Sequence, residues 1–150
     1  MEIERKFLIK SLPEDIDTYD YHIIEQAYLT TDPVIRVRRQ DDEYYMTYKG
    51  KGLMVREEYN LPLTKEAYNT LRSKADGNII TKKRVLIPYD KYTIELDIFE
   101  APFAPLIIAE VEYESEEEAL AFTGPDWFGE DVTTDPQYHN SNMSRKNFNN

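Results

Sequence analysis

Glu2, Glu4 and Lys6 stand two residues apart, so on an extended strand their side chains share one face while Ile3, Arg5 and Phe7 share the other. The same spacing returns along the chain. Arg36 and Arg38, Lys82 and Arg84, Glu95 and Asp97, and Glu110 and Glu112 are each a pair of one sign, while Thr47 aligns with Lys49 and Arg56 with Glu58. An antiparallel sheet ordinarily turns one polar face to water, and any single pair is compatible with that. Segregation of sign sets the group apart. Like charges roughly 7 Å apart on one face repel, and a polyanion against the bases with a divalent cation against the acids relieves that repulsion. Magnesium takes oxygen ligands at about 2.1 Å and combines one or two carboxylates with substrate phosphates. Arginine grips phosphate oxygens in a fork, and lysine adds a point charge. Arg36, Arg38, Lys49, Arg56, Lys82 and Arg84 around one interior, with carboxylates alongside, would serve a triphosphate and its metal together.

Such an interior requires strands. Period-two alternation predicts them over 2–9, 21–30, 34–40, 43–49, 53–62, 79–88, 91–100 and 106–113. Turn chemistry separates several of these at 32–33, 41–43, 50–52 and 89–91. Helices are predicted over 64–75 and 115–122, the second with Ser115 and Glu118 at capping-box spacing. The stretch after Asp126 reads as irregular with a last short helix. The expected class is mainly β (α+β): eight antiparallel strands close into a barrel whose interior holds side chains or one small ligand.

Composition narrows the function. The 150 residues suit one domain, read over 1–150, and carry a net charge of -11, which argues against nucleic acid or an anionic membrane as partner. The charge is uneven: residues 1–84 hold fifteen acids and fifteen bases, whereas 85–150 hold fourteen acids and three bases. No apolar run approaches a membrane span, and EIERKF is charged where a signal peptide needs an apolar stretch. With no cysteine, disulfides and thiolate metal sites are excluded, and a cytoplasmic protein is the expectation. No GxxxxGK[ST] loop is present, so phosphates would be held by side chains. His22 and His139 lack zinc-site spacing and read as structural or surface histidines, and Trp127 reads as core.

The strings MEIERKF, IEQAYL, IRVRR, MTYKG, REEYN, TKKR, IELDIF, AEVEYES and DPQYHNSNMS, in that order across nearly the whole chain, resemble the blocks of the CYTH superfamily, the triphosphate tunnel metalloenzymes. The resemblance implies an eight-stranded antiparallel β-barrel with its charged faces turned inward as a tunnel and helices packed outside. It implies that Glu2 and Glu4, with Glu110 or Glu112, hold catalytic Mg2+ or Mn2+. Lys6 would contact substrate near the metal, and Arg36, Arg38, Lys49, Arg56, Lys82 and Arg84 would grip the triphosphate. Glu95 and Asp97, with Glu58, are candidates for a second cation or for orienting the attacking water. The family often carries two alternating carboxylates after the residue matching Arg56; here Glu58 is followed by Asn60, which weakens a second metal on that side. Tyr138, Asn140 and Ser141 would close one tunnel mouth. The expected activity is metal-dependent hydrolysis of a triphosphate, preferably inorganic tripolyphosphate, by a monomer or homodimer. Open alternatives are a class IV adenylate cyclase acting on ATP, a nucleoside or thiamine triphosphatase, and a polyphosphate- or nucleotide-binding module without turnover.

Overall fold

A computed structural model describes residues 1–148. Ten strands run in the order β1 (Glu2–Ile9), β2 (Tyr21–Thr31), β3 (Val34–Gln40), β4 (Glu43–Lys49), β5 (Val55–Arg56), β6 (Glu58–Pro62), β7 (Asp76–Tyr89), β8 (Tyr92–Phe99), β9 (Ile107–Glu112) and β10 (Phe128–Asp131). Every pairing is antiparallel, along β10-β1-β9-β8-β7-β2-β3-β4-β6. The predicted strand over 53–62 is broken at Glu57, and the break is what nearly closes the barrel. On one side of it β6 pairs with β4; on the other β5 crosses to β1, with Glu2 opposite Arg56. Arg56 and Glu58 remain two apart, so the charged face passes through the break unchanged. The two form one bent stave, and the barrel has the eight staves expected. β10, which alternation did not reveal, lies beside the far half of β1, pairing Phe7 with Asp131.

Two-residue turns join β3 to β4 and β7 to β8, each with an aspartate in the left-handed region: Asp41 at φ 54° and Asp90 at φ 56°. A short polar side chain tolerates that conformation better than a branched one. Helix α1 (Lys65–Ser73) is capped by the Thr64 hydroxyl, which accepts from the Ala67 amide at 3.1 Å. Helix α2 (Glu116–Ala121) uses Ser115 in the same way toward Glu118 at 3.1 Å. No helix among the described residues is long and apolar enough to cross a membrane.

Side-chain parity divides the barrel into apolar exterior and charged interior, the reverse of a common sheet. Phe7, Val85, Ile94, Leu96 and Val111 form a cluster completed by Ala119 of α2 and Phe128 of β10, with Trp127 packed against it. A second cluster of Ala27, Val37 and Tyr68 seats α1. Burial of one such side chain is worth about 1.5–3 kcal/mol, so these exterior contacts fix the helices against the staves. The interior is not ionic throughout. Tyr28, Val34, Ile80, Phe99 and Ile108 continue the inward parity of the charged rows and pack with Met143 of α3 (Asn140–Met143), which makes an apolar plug at one end.

Candidate active site

A cavity of about 350 Å3 lies within the barrel, and every candidate site residue except Asp97 is on its wall. Strand register sets the neighbours. Lys6 and Glu95 both stand opposite Glu110, Glu4 stands opposite Glu112, and Arg84 stands opposite Asp97. Arg36 faces Thr47 across β3 and β4, and Lys49 faces Glu58 across β4 and β6. Six carboxylates and seven cations thus line one enclosed space.

Asp97 is placed differently from the sequence expectation of a metal ligand or catalytic carboxylate. It is 0% exposed and lies behind the cavity wall. Its oxygens accept from Arg84 Nε at 2.8 Å and Nη2 at 2.9 Å, and Lys82 Nζ lies 2.7 Å away. Burial would raise its pKa, but Arg84 and Lys82 hold it below the ordinary aspartate range. Asp97 therefore anchors two wall cations, with no oxygen turned to the cavity. Arg84 also reaches Glu95 at 3.1 Å and Glu110 at 3.0 Å. Burial, reinforced by Arg84 and Arg38 against the pull of Asp97, brings Lys82 down to about 7.

The carboxylates gather beside this network. Glu4, Glu95 and Glu110 each offer an oxygen within 4.8 Å of the others, a spacing one cation can bridge. Burial first, then Glu110, raises the Glu4 pKa, and burial with Glu110 and Asp97 raises that of Glu95. Glu110 goes the other way: despite its burial, Lys6 and Arg84 hold it well below the carboxylate range. Burial and the neighbouring charges of Glu2 and Glu4 push Glu112 up to about 7. Glu2 shares Lys49 with Glu58, at 3.0 Å and 3.4 Å. Lys6 and Arg84 offset part of this like charge, and the all-oxygen donor set suits a hard divalent cation, so the residues fit such an ion.

Arg36 and Arg38 have another environment. Arg36 donates to Thr47 Oγ1 at 3.1 Å, and its buried Nε has no protein partner. Arg38 is forked onto the neutral Gln26. Among the described residues, neither arginine is in an ion pair, unlike Lys6, Lys49, Lys82 and Arg84. An enclosed cationic end beside an acidic end can take a polyanion and its counter-cation together.

Gln26, an uncharged residue in a charged row, went unremarked in the sequence, and Thr47 had no role there; position on the inward parity was the available signal. Asn60 accepts from the Thr47 hydroxyl at 2.6 Å and donates to Glu58 at 3.2 Å. His139 is a wall residue as well as a structural one, with Nε2 2.8 Å from the Thr133 carbonyl. His22 pairs with Asp41 outside the cavity. Asn140 and Ser141 are on the wall, while Tyr138 packs against the apolar plug.

The CYTH domain family model matches residues 1–142. An inorganic triphosphatase of Nitrosomonas europaea is 38% identical over 95% of this chain and 96% of its own length. An inorganic triphosphatase of Acetivibrio thermocellus is 33% identical over 99% of this chain and 96% of its own. A solved inorganic triphosphatase superposes with a TM-score of 0.73 at 34% identity, covering 98% of this chain and 96% of the other.

Proposed function

The chain belongs to the CYTH domain family, and from that premise we propose that it is one triphosphate-binding domain that hydrolyses the terminal phosphoanhydride of inorganic tripolyphosphate with Mg2+ or Mn2+. The observation that carries this reading is the pair of unneutralised arginines, Arg36 and Arg38, enclosed with the Glu4, Glu95 and Glu110 oxygen cluster in one cavity. Curated relatives more than 30% identical over nearly the full length are inorganic triphosphatases. Cytoplasm is the proposed setting.

Phosphoanhydride hydrolysis spreads negative charge over the transferred phosphoryl group, so positioned positive charge supplies most of the rate. Arg36 and Arg38, neither of them in an ion pair among the described residues, grip the phosphate chain. Lys6 and Arg84, in contact with the cluster carboxylates, and Lys82 beside Asp97 meet the charge that develops on the transferred group. Glu4, Glu95 and Glu110 would hold a divalent ion, with Glu2 and Glu112 beside them, and such an ion would supply Lewis acidity and charge neutralisation at the phosphate oxygens. Glu2, which shares Lys49 with Glu58, accepts the proton of the attacking water, and Glu58 helps to orient that water. The bond from water oxygen to terminal phosphorus forms as the bridging P–O bond breaks, leaving orthophosphate and pyrophosphate.

Phosphate, pyrophosphate and cyclic AMP released from tripolyphosphate, ATP and thiamine triphosphate with Mg2+ or Mn2+ test the reading. Orthophosphate released fastest from tripolyphosphate supports it. Cyclic AMP from ATP without orthophosphate replaces it with a cyclase, and tight binding without turnover replaces it with a binding module.

A further inference from the structure

Four of the wall cations, Lys6, Lys49, Lys82 and Arg84, are matched by carboxylates; among the described residues Arg36, Arg38 and Arg56 are not, and of these Arg38 is held by two bonds to a neutral side chain. Gln26 stands directly opposite Arg38 across β2 and β3. Its side chain is 0% exposed and lies behind the cavity wall. The Gln26 Oε1 accepts from Arg38 Nε at 2.8 Å and from Nη2 at 2.6 Å. Both bonds converge on one amide oxygen, where a carboxylate would offer a second oxygen for a parallel pair. The Gln26 Nε2 donates to Asn140 Oδ1 at 3.0 Å, and Asn140 Oδ1 also accepts from Lys82 Nζ at 3.0 Å.

Glutamate has the shape of glutamine and, in the empty fold, would stabilise a buried guanidinium better than a neutral amide does. With Arg36 and Arg84 as neighbours, Arg38 has a lowered pKa from burial and from both charges. A neutral partner leaves that strain in place. We propose that Gln26 is a positioning residue that fixes the direction of the Arg38 guanidinium without cancelling its charge, reserving that charge for the substrate polyanion. Through Asn140 it also ties the wall segment that precedes the plug to the same arginine. The inference rests on the triphosphate reading above.

The test uses the full chain and its Q26E and Q26M variants, with metal-free tripolyphosphate binding by calorimetry, KM and kcat with Mg2+, and thermal unfolding. Both variants lose the bond to Asn140; only Q26E adds a charge. For Q26E we expect tripolyphosphate binding and KM to weaken by about 10- to 100-fold, the range of a charged hydrogen bond, with a smaller change in kcat. The unfolding temperature of Q26E stays at or above that of the wild type, because the new ion pair replaces the amide fork. Q26M weakens binding less than Q26E. Binding by Q26E as tight as wild type, or a larger loss in Q26M, overturns the inference, because packing alone then explains Gln26. If Q26M does not fold, a stable Q26E that binds normally overturns the inference, and a stable Q26E that binds weakly upholds it. A wild type that does not bind tripolyphosphate refutes the triphosphate reading itself.

Discussion

Replacing Asp97 with asparagine separates an anchor from a metal ligand. The carboxylate is fully buried and holds Arg84 through two bonds, 2.8 and 2.9 Å, with Lys82 at 2.7 Å. Asparagine keeps the shape and removes the charge, so two buried cations face an uncharged partner. Removing one member of a buried ion pair costs about 3–5 kcal/mol, a large share of the roughly 5–15 kcal/mol that holds a domain together. At about 2–4 °C per kcal/mol for a chain of this size, the unfolding temperature falls by about 6–20 °C. The loss depends on pH in a fixed direction. Arg84 and Lys82 hold the folded Asp97 pKa below its unfolded value, so its stabilisation is complete above about pH 4 and is lost as pH falls through the folded value. Urea titrations of wild type and D97N should differ most near neutrality and converge in acid. Calorimetric titration with Mg2+ should give similar affinity for both proteins while folded. A D97N protein within 1 kcal/mol of wild type that no longer binds Mg2+ would refute the anchor role and restore Asp97 as a ligand.

Glu4→Gln removes one oxygen donor of the acidic cluster; tripolyphosphate hydrolysis should fall by at least about 100-fold, while metal-free tripolyphosphate binding holds or tightens as a like charge leaves. Gly77 sits at φ 78°, where an added Cβ would lie 2.2 Å from the Ser144 carbonyl oxygen. Gly77→Ala should cost about 1–2 kcal/mol or more from the left-handed backbone alone, and hydrogen exchange should rise over 139–146 while β8 and β9 stay protected. Burial, with Lys6 and Arg56 nearby, lowers the His139 pKa below its ordinary value. The unfolded histidine then binds a proton first, so stability falls as pH drops below about 6.5 and levels off below the folded value, with a slope of up to about 1.4 kcal/mol per pH unit. His139→Gln should remove that limb from a plot of unfolding free energy against pH.

The charged rows were legible because inward parity and one sign per pair survive in a bare sequence, and they placed Glu2, Glu4, Lys6, Arg36, Arg38, Lys82, Arg84 and Glu110 together on one wall. What parity cannot give is depth. Asp97 and Glu95 share a face and a sign, yet one is sealed behind Arg84 and the other reaches the cavity, because Asp97 has two cations within 3 Å. The break at Glu57 was equally hidden: alternation runs straight through it, and only pairing with two different strands splits the stave. β10 is too short to show alternation, and its place depends on the edge of β1 that β5 leaves uncovered. Gln26 carries no charge to attract notice, although it stands opposite Arg38 in the register.

Product stoichiometry from tripolyphosphate in excess Mg2+ decides whether the cavity is a hydrolytic site. Orthophosphate and pyrophosphate should appear in equal amounts, stop on chelation with EDTA, and be lost in Glu4→Gln with tripolyphosphate still bound. Tripolyphosphate left intact by the wild type with both Mg2+ and Mn2+, or release that persists in Glu4→Gln, would contradict it.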